Sequence, residues 1–294
     1  MKRLLVGALT LCSSLMLFGC GGTKRSNGLH FEEYDGVYKA YHLEGDISGD
    51  VVIPETYKNK PVTIIPRYAF MDCSKITSIT LTENILTIST EAFANCTNLK
   101  FNEYNEGYYL GTATNPYYAF VKPVNEYAGT VEISDQCVVI CGDAFYENNA
   151  ITNIELPESV KSINAYSFYK CNNLESIKMP KQMAEINAYS ISYCNKLKGF
   201  VIPEGVKTIS GSVGFCDNIE YVVLPSTLER ACFLFPINDN VKIYYNGSAT
   251  ELLSLETIDS WMTVDNVFSY SETAPSTTGN FWHYDTNNNP VVWE

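Results

Sequence analysis

Apolar residues recur along most of this chain at a fixed interval of 23 positions. Val160-Lys161-Ser162-Ile163 opens one unit, Met183-Ala184-Glu185-Ile186 the next and Val206-Lys207-Thr208-Ile209 the one after. Phe70 and Phe93, Phe145 and Phe168, Cys73 and Cys96, and Cys171 and Cys194 keep the same spacing. A constant period of this size marks a solenoid, in which each unit is too small to bury its apolar side and shares a core with its neighbours. Within the unit, Val160, Ile163, Phe168, Cys171, Leu174, Ile177 and Met179 are apolar. Ile177-Lys178-Met179 alternates as a half-buried strand does, and Pro180 ends it. Residues 165–171 suit a short helix or tight turn, and Asn172-Asn173 returns the chain to the strand.

The same frame fits residues 61–84, 85–101, 138–159, 183–205 and 206–227, while 228–245 is degenerate, as expected beside a cap. Between Phe93 and Phe145 the phase breaks: 52 residues are two periods plus six. Gly107–Leu110 and Tyr117–Lys122 flank an Asn115-Pro116 turn and predict an inserted hairpin within 103–130. Val131–Ile133 then reads as a partial rung.

The unit Val-x-x-Ile-x-x-x-x-Phe-x-x-Cys-x-x-Leu-x-x-Ile-x-Leu-Pro resembles the BspA-like leucine-rich repeat. The resemblance covers residues 29–294. It includes a first rung (Asp50–Pro54 with Val62–Ile65), the interrupting hairpin around Tyr109–Tyr117, and an aromatic C-terminal cap with Tyr270–Pro275, Asn280–Tyr284 and Val292-Trp293. It implies a right-handed α/β solenoid of about seven units: an N-terminal cap segment over 29–60, repeats over 61–245 and the cap over 246–294. It also implies a cell-surface protein that adheres to host matrix proteins or other cells.

The N-terminus is a separate signal. Lys2 and Arg3 precede an apolar run from Leu4 to Phe18, too short for a comfortable membrane span, which reads as a secretory signal over 1–19. Leu17-Phe18-Gly19-Cys20 resembles the lipobox of bacterial lipoproteins, although Phe18 is larger than usual there. That resemblance implies a diacylglyceryl group on Cys20, followed by a polar tether over 20–28. Eight extended residues reach at most about 28 Å, so the folded part would sit near the membrane. Without residues 1–19 the chain keeps 18 basic and 33 acidic residues, a net of −15. That balance argues against nucleic acid and against adsorption to anionic lipid.

Chemistry is sparse. Cys73, Cys96, Cys171, Cys194 and Cys216 occupy one repeat position and read as a column of buried thiols. Cys141 falls where Ile163 and Ile186 fall, and Cys137 lies too far along the strand from Cys141 to share a metal ion. His30, His42 and His283 lie outside the repeats. Gly211-Ser212-Val213-Gly214 lacks the lysine of a phosphate loop, and Glu32-Glu33 reads as solvated surface. No catalytic residue, metal or cofactor is expected.

Binding is expected on the outward strand positions: Ser78 and Thr80, Asn153 and Glu155, Ser176 and Lys178, Gly199 and Val201, Tyr221 and Val223, with Tyr244 beyond. This face turns from polar to apolar toward the C-terminus. Trp261, Trp282 and Trp293 belong to the cap, with a tryptophan-lined carbohydrate cleft as the remote alternative. Three functions remain open: surface adhesion to a protein partner, a membrane-proximal scaffold for a wall or envelope component, and an envelope hydrolase built on the cap or hairpin.

Overall fold

The computed structural model describes residues 28–43, 47–125, 129, 131–232, 241–255, 258, 262–287 and 289–293. The signal, Cys20 and the tether lie outside the described residues, as does Trp261. The chain winds into a β-solenoid of about 9 turns. Each repeat contributes two short strands, and the repeats from 183 and 206 add a third, Ile191–Ser192 paired with Val213–Gly214. The first ladder contains Val139–Ile140, Ser162–Ile163 and Glu185–Ile186. The second contains Asn153–Glu155, Ser176–Lys178, Gly199–Val201, Tyr221–Leu224 and Lys242–Tyr245. Neighbouring strands pair in parallel at the repeat interval, as in Ile163 with Ile186 and Ile154 with Ile177.

The segment around each Phe is a third stacking side built from turns, and no helix forms at 165–171. The expected leucine-rich-repeat solenoid stands, with strand far outweighing helix; the one helix among the described residues is Ala249–Leu253, which Ser248 and Glu251 cap reciprocally. The cause lies in the backbone. Residues two before and two after the Phe position have positive φ: Tyr68 and Asp72, Glu91 and Asn95, Asp143 and Glu147, Tyr166 and Lys170, Tyr189 and Tyr193. Two left-handed residues four apart interrupt the helical ladder and turn the amides outward. Those amides bond to the next rung instead, as Phe145 N–H to the Ser167 carbonyl (2.7 Å) and Phe168 N–H to Ser190 (2.8 Å).

The insertion is a three-stranded antiparallel meander: Asn102–Tyr104, Gly107–Thr112 and Ala119–Pro123. Asn105 and Glu106, both at positive φ, make its first turn. Gly107–Thr112 pairs in parallel with Ile76–Leu81, a second-ladder strand of the N-terminal repeats. Ala119–Pro123 pairs in parallel with Val139–Ile140, a first-ladder strand of the C-terminal repeats. The meander thus joins the second ladder of one half to the first ladder of the other in a single sheet.

That sheet has a core on each side. Tyr109, Phe120 and Ile140 face the C-terminal core; Leu110, Ala119, Val139 and Cys141 face the N-terminal core. Asn164, fully buried, ties the halves together. Its Oδ1 accepts from Ile88 N–H at 2.9 Å, and its Nδ2 donates to the carbonyls of Leu86 (3.1 Å) and Ile140 (3.0 Å) and to Ser162 Oγ (3.2 Å). Gly142 permits the close approach: a Cβ there would lie 2.6 Å from the Thr90 backbone nitrogen.

Candidate interaction surfaces

The outward strand positions fall where alternation places them. Asn153, Glu155, Ser176 and Lys178 are exposed, and Ser78 and Thr80 are half-buried. Adjacent rungs bond across the ladder: Ser176 Oγ donates to Asn153 Oδ1 (2.6 Å), Ser78 Oγ donates to Asp50 Oδ1 (2.7 Å), and Lys178 pairs with Glu155. These exposed ion pairs add little stability. Between the inward residues Ile154, Ile177, Phe200 and Val222 the alternation is strict.

Toward the C-terminus the expectation fails for two residues. Val223 and Tyr244 are 0% and 4% exposed, sealed in a second small core with Phe268 and Trp282. The cap strands Phe281–Tyr284 and Pro290–Val292 extend the second-ladder sheet, and their apolar side chains close over this outer face. Trp282 stacks on Tyr244 at 5.3 Å and donates its Nε1–H to the Tyr245 carbonyl (3.0 Å). Trp293 stacks on His283 at 3.8 Å and donates to the Ser271 carbonyl. The described tryptophans are thus packed into the cap. Tyr221 stays half-buried and borders an open groove of about 1150 Å³ that also includes Asn153, Ser176, Lys198 and Lys242.

The turn side carries a feature that the reading of the strands did not include. Tyr146 stacks on Tyr169 (5.4 Å), Tyr166 on Tyr189 (5.3 Å) and Tyr193 on Phe215 (4.4 Å). Edge contacts of Tyr169 with Tyr166 and with Tyr193, both at 5.2 Å, join these pairs into one partly exposed aromatic edge. Tyr166, Tyr189, Tyr193 and Phe215 hold φ between 52° and 60°. A bulky side chain in that region costs about 1–2 kcal/mol, which Asn or Asp partly avoids. The N-terminal repeats place Asp72 and Asn95 where Tyr193 and Phe215 stand, and Tyr68 and Glu91 where Tyr166 and Tyr189 stand. The signal was present in the sequence as tyrosines 23 apart at 166 and 189 and at 146 and 169.

The cysteine column is a packing device. The thiols of Cys96, Cys171 and Cys194 donate to the carbonyls of Phe70 (2.9 Å), Phe145 (3.0 Å) and Phe168 (3.1 Å) in the preceding rung. Burial pushes the Cys96 thiol up to about 11 and those of Cys137 and Cys171 up to about 12, so they resist ionisation. At the seam between the halves, burial and the neighbouring Glu91 carboxylate raise Asp143 to about 6.

Stacked 23-residue rungs with a repeated Phe–Cys–Leu–Ile core define a leucine-rich-repeat solenoid. The BspA type leucine rich repeat region matches in six copies over residues 52–112 and 114–234, and the chain belongs to that family. Solved structures with this kind of fold include a leucine-rich repeat protein from Bacteroides ovatus, 19% identical over 75% of this chain and 64% of that one, with a TM-score of 0.34. The pneumococcal vaccine antigen PcpA is 12% identical over 83% of this chain and 96% of its own, with a TM-score of 0.34. A leucine rich cell surface protein from Faecalibacterium prausnitzii is 14% identical over 82% of this chain and 99% of its own, with a TM-score of 0.23. The chain thus spans less than two thirds of the Bacteroides ovatus protein's length. Among curated proteins none matches. No helix of the described residues is long and apolar enough to cross a membrane.

Proposed function

We propose that this is a lipid-anchored, extracytoplasmic interaction protein that holds another protein through the aromatic edge of its C-terminal repeats. One observation carries the reading: Tyr193 and Phe215 occupy left-handed backbone sites where the N-terminal repeats place Asp72 and Asn95, and Tyr166, Tyr169 and Tyr189 join them in one aromatic edge. Backbone strain of this kind clusters at functional surfaces. Tyrosine also supplies a large, rigid, amphipathic contact at low entropic cost. Cys20 would carry the anchor and residues 21–28 the tether. Host matrix proteins and other cell-surface proteins are the proposed partners, and no catalysis is proposed.

The test has two parts. Protease shaving of intact cells should release fragments from residues 60–294; complete protection would move the partner into the envelope, where a wall or envelope component takes the place of a host protein. Replacing Tyr166, Tyr189 and Tyr193 together by Asn relaxes the backbone at each site. The triple variant should fold with stability within about 1 kcal/mol of the parent, since relief of strain offsets lost stacking. It should also lose at least tenfold in adhesion to matrix-coated surfaces. Unchanged adhesion would refute the assignment of the edge.

A further inference from the structure

The groove on the outer face of the second ladder is a separate surface with chemistry of its own. Asn153 stands opposite Ser176 in one parallel pair, and Gly199, Tyr221 and Lys242 stand in register as a row in the next sheet, 23 residues on from Ser176. The row advances by about 4.8 Å per strand. Gly199 leaves a gap in it, and the Tyr221 ring lies over that gap. A Cβ on Gly199 would come within 2.5 Å of two ring atoms. With one face against glycine, the ring turns its other face to the groove. Tyr244, sealed under the cap, supports the ring from behind at 5.8 Å and a 37° tilt.

Around this platform the groove carries three lysines (Lys196, Lys198, Lys242) and three carboxylates (Glu175, Asp217, Glu220), with the amide of Asn153 and the hydroxyl of Ser176 on the neighbouring parallel pair. The charges balance within the groove of a chain that is net negative. A balanced field selects neither a polyanion nor a basic peptide. Between Gly199–Val201, Tyr221–Leu224 and Lys242–Tyr245, where the ring lies, the strands pair with one another and leave no edge for a peptide to extend. What fits is a flexible-length chain of neutral polyols with one apolar face. We infer that the groove binds an extended neutral pyranose oligosaccharide, with one sugar stacked on Tyr221 and its neighbours hydrogen-bonded by Lys198, Glu220, Asn153 and Ser176. This binding does not depend on the tyrosine edge.

Saturation-transfer NMR and calorimetry of the purified protein with cellohexaose, xylohexaose, mannohexaose and chitohexaose test it. At least one hexaose should bind, with aromatic-to-sugar transfer and a Kd that rises at least tenfold in Tyr221→Ala. Tyr221→Phe, which keeps the ring, should stay within about threefold of the parent, and far-UV circular dichroism should show both variants folded. The Tyr166/Tyr189/Tyr193 triple variant should bind the sugar as the parent does, so that failure of one surface leaves the other standing. Absence of binding to all four hexaoses overturns the inference. So does binding that survives Tyr221→Ala, and so does preference for an acidic or basic peptide over every hexaose.

Discussion

Asn164 gives the sharpest test of how the two halves are joined. Replacing it by alanine removes the acceptor for Ile88 N–H and the donor to the Leu86 carbonyl; the Ile140 carbonyl keeps the Asn164 backbone N–H. An orphaned buried N–H costs about 1–3 kcal/mol and a lost neutral hydrogen bond about 1, so Asn164→Ala should cost about 2–4 kcal/mol. The loss should also be directional. All three tryptophans, at 261, 282 and 293, fall C-terminal to residue 245 in the sequence, so their fluorescence reports on that end, whereas far-UV circular dichroism follows both halves. Urea unfolding of the parent should give coincident curves by the two probes. In Asn164→Ala the dichroism should fall first, as the N-terminal half lets go. Asn187 occupies the same repeat position one period on, and its Nδ2 has no hydrogen-bond partner. Asn187→Ala should therefore cost less than 1 kcal/mol. A loss below 1 kcal/mol in Asn164→Ala with coincident transitions would refute this account of the seam.

Two further outcomes follow. Asp143 has its folded-state pKa raised to about 6, so the folded protein binds the proton more tightly than the unfolded chain. Its contribution is favourable below the unfolded value of about 3.9 and is lost as pH rises through about 6. Asp143→Asn, which also suits positive φ, should stabilise the protein by about 1 kcal/mol at pH 7 after allowing for solvent screening and should change nothing at pH 3.5; parallel urea titrations at the two pH values decide it. The buried thiols of Cys73, Cys96, Cys137, Cys141, Cys171, Cys194 and Cys216 should stay silent to a disulfide reagent at pH 8 until urea is added, and more than two thiols reacting in the native protein would contradict the packing column.

The sequence carried the repeat, the parity of its strands and the position of the insertion, because each follows from spacing alone. Ile154, Ile177, Phe200 and Val222 point inward as the alternation requires. Where spacing does not reach, the reading stopped. The 52-residue interval reports that something is inserted between Phe93 and Phe145. It does not report that the insertion moves the chain from the second ladder to the first, since that depends on which strands the meander finds. Val223 and Tyr244 looked outward by parity and do point outward; the cap strands then cover them, with Trp282 lying 59 and 38 positions further on, a contact that no local pattern encodes. Of the two conformations that suit 165–171, a short helix or a tight turn, the chain takes the turn, with Tyr166 and Lys170 at positive φ. The groove is half legible: Asn153, Ser176 and Tyr221 follow from alternation, while the flat seating of Tyr221 depends on Gly199, whose importance appears only once two strands are aligned.

The two hairpins at the ends of the solenoid set a limit on what the molecule can become. A parallel stack is an open-ended design, since each rung is a template for one more and two copies could join end to end. Here Val37–Tyr41 is covered by the antiparallel strand His30–Tyr34, and Phe281–Tyr284 by the antiparallel strand Pro290–Val292. Both outermost strands run opposite to the rungs, and the second begins with a proline that offers no N–H to a newcomer. Crowded on a surface, its copies would meet at these two ends with strands that run against the rungs, which hinders parallel addition of one copy to another there.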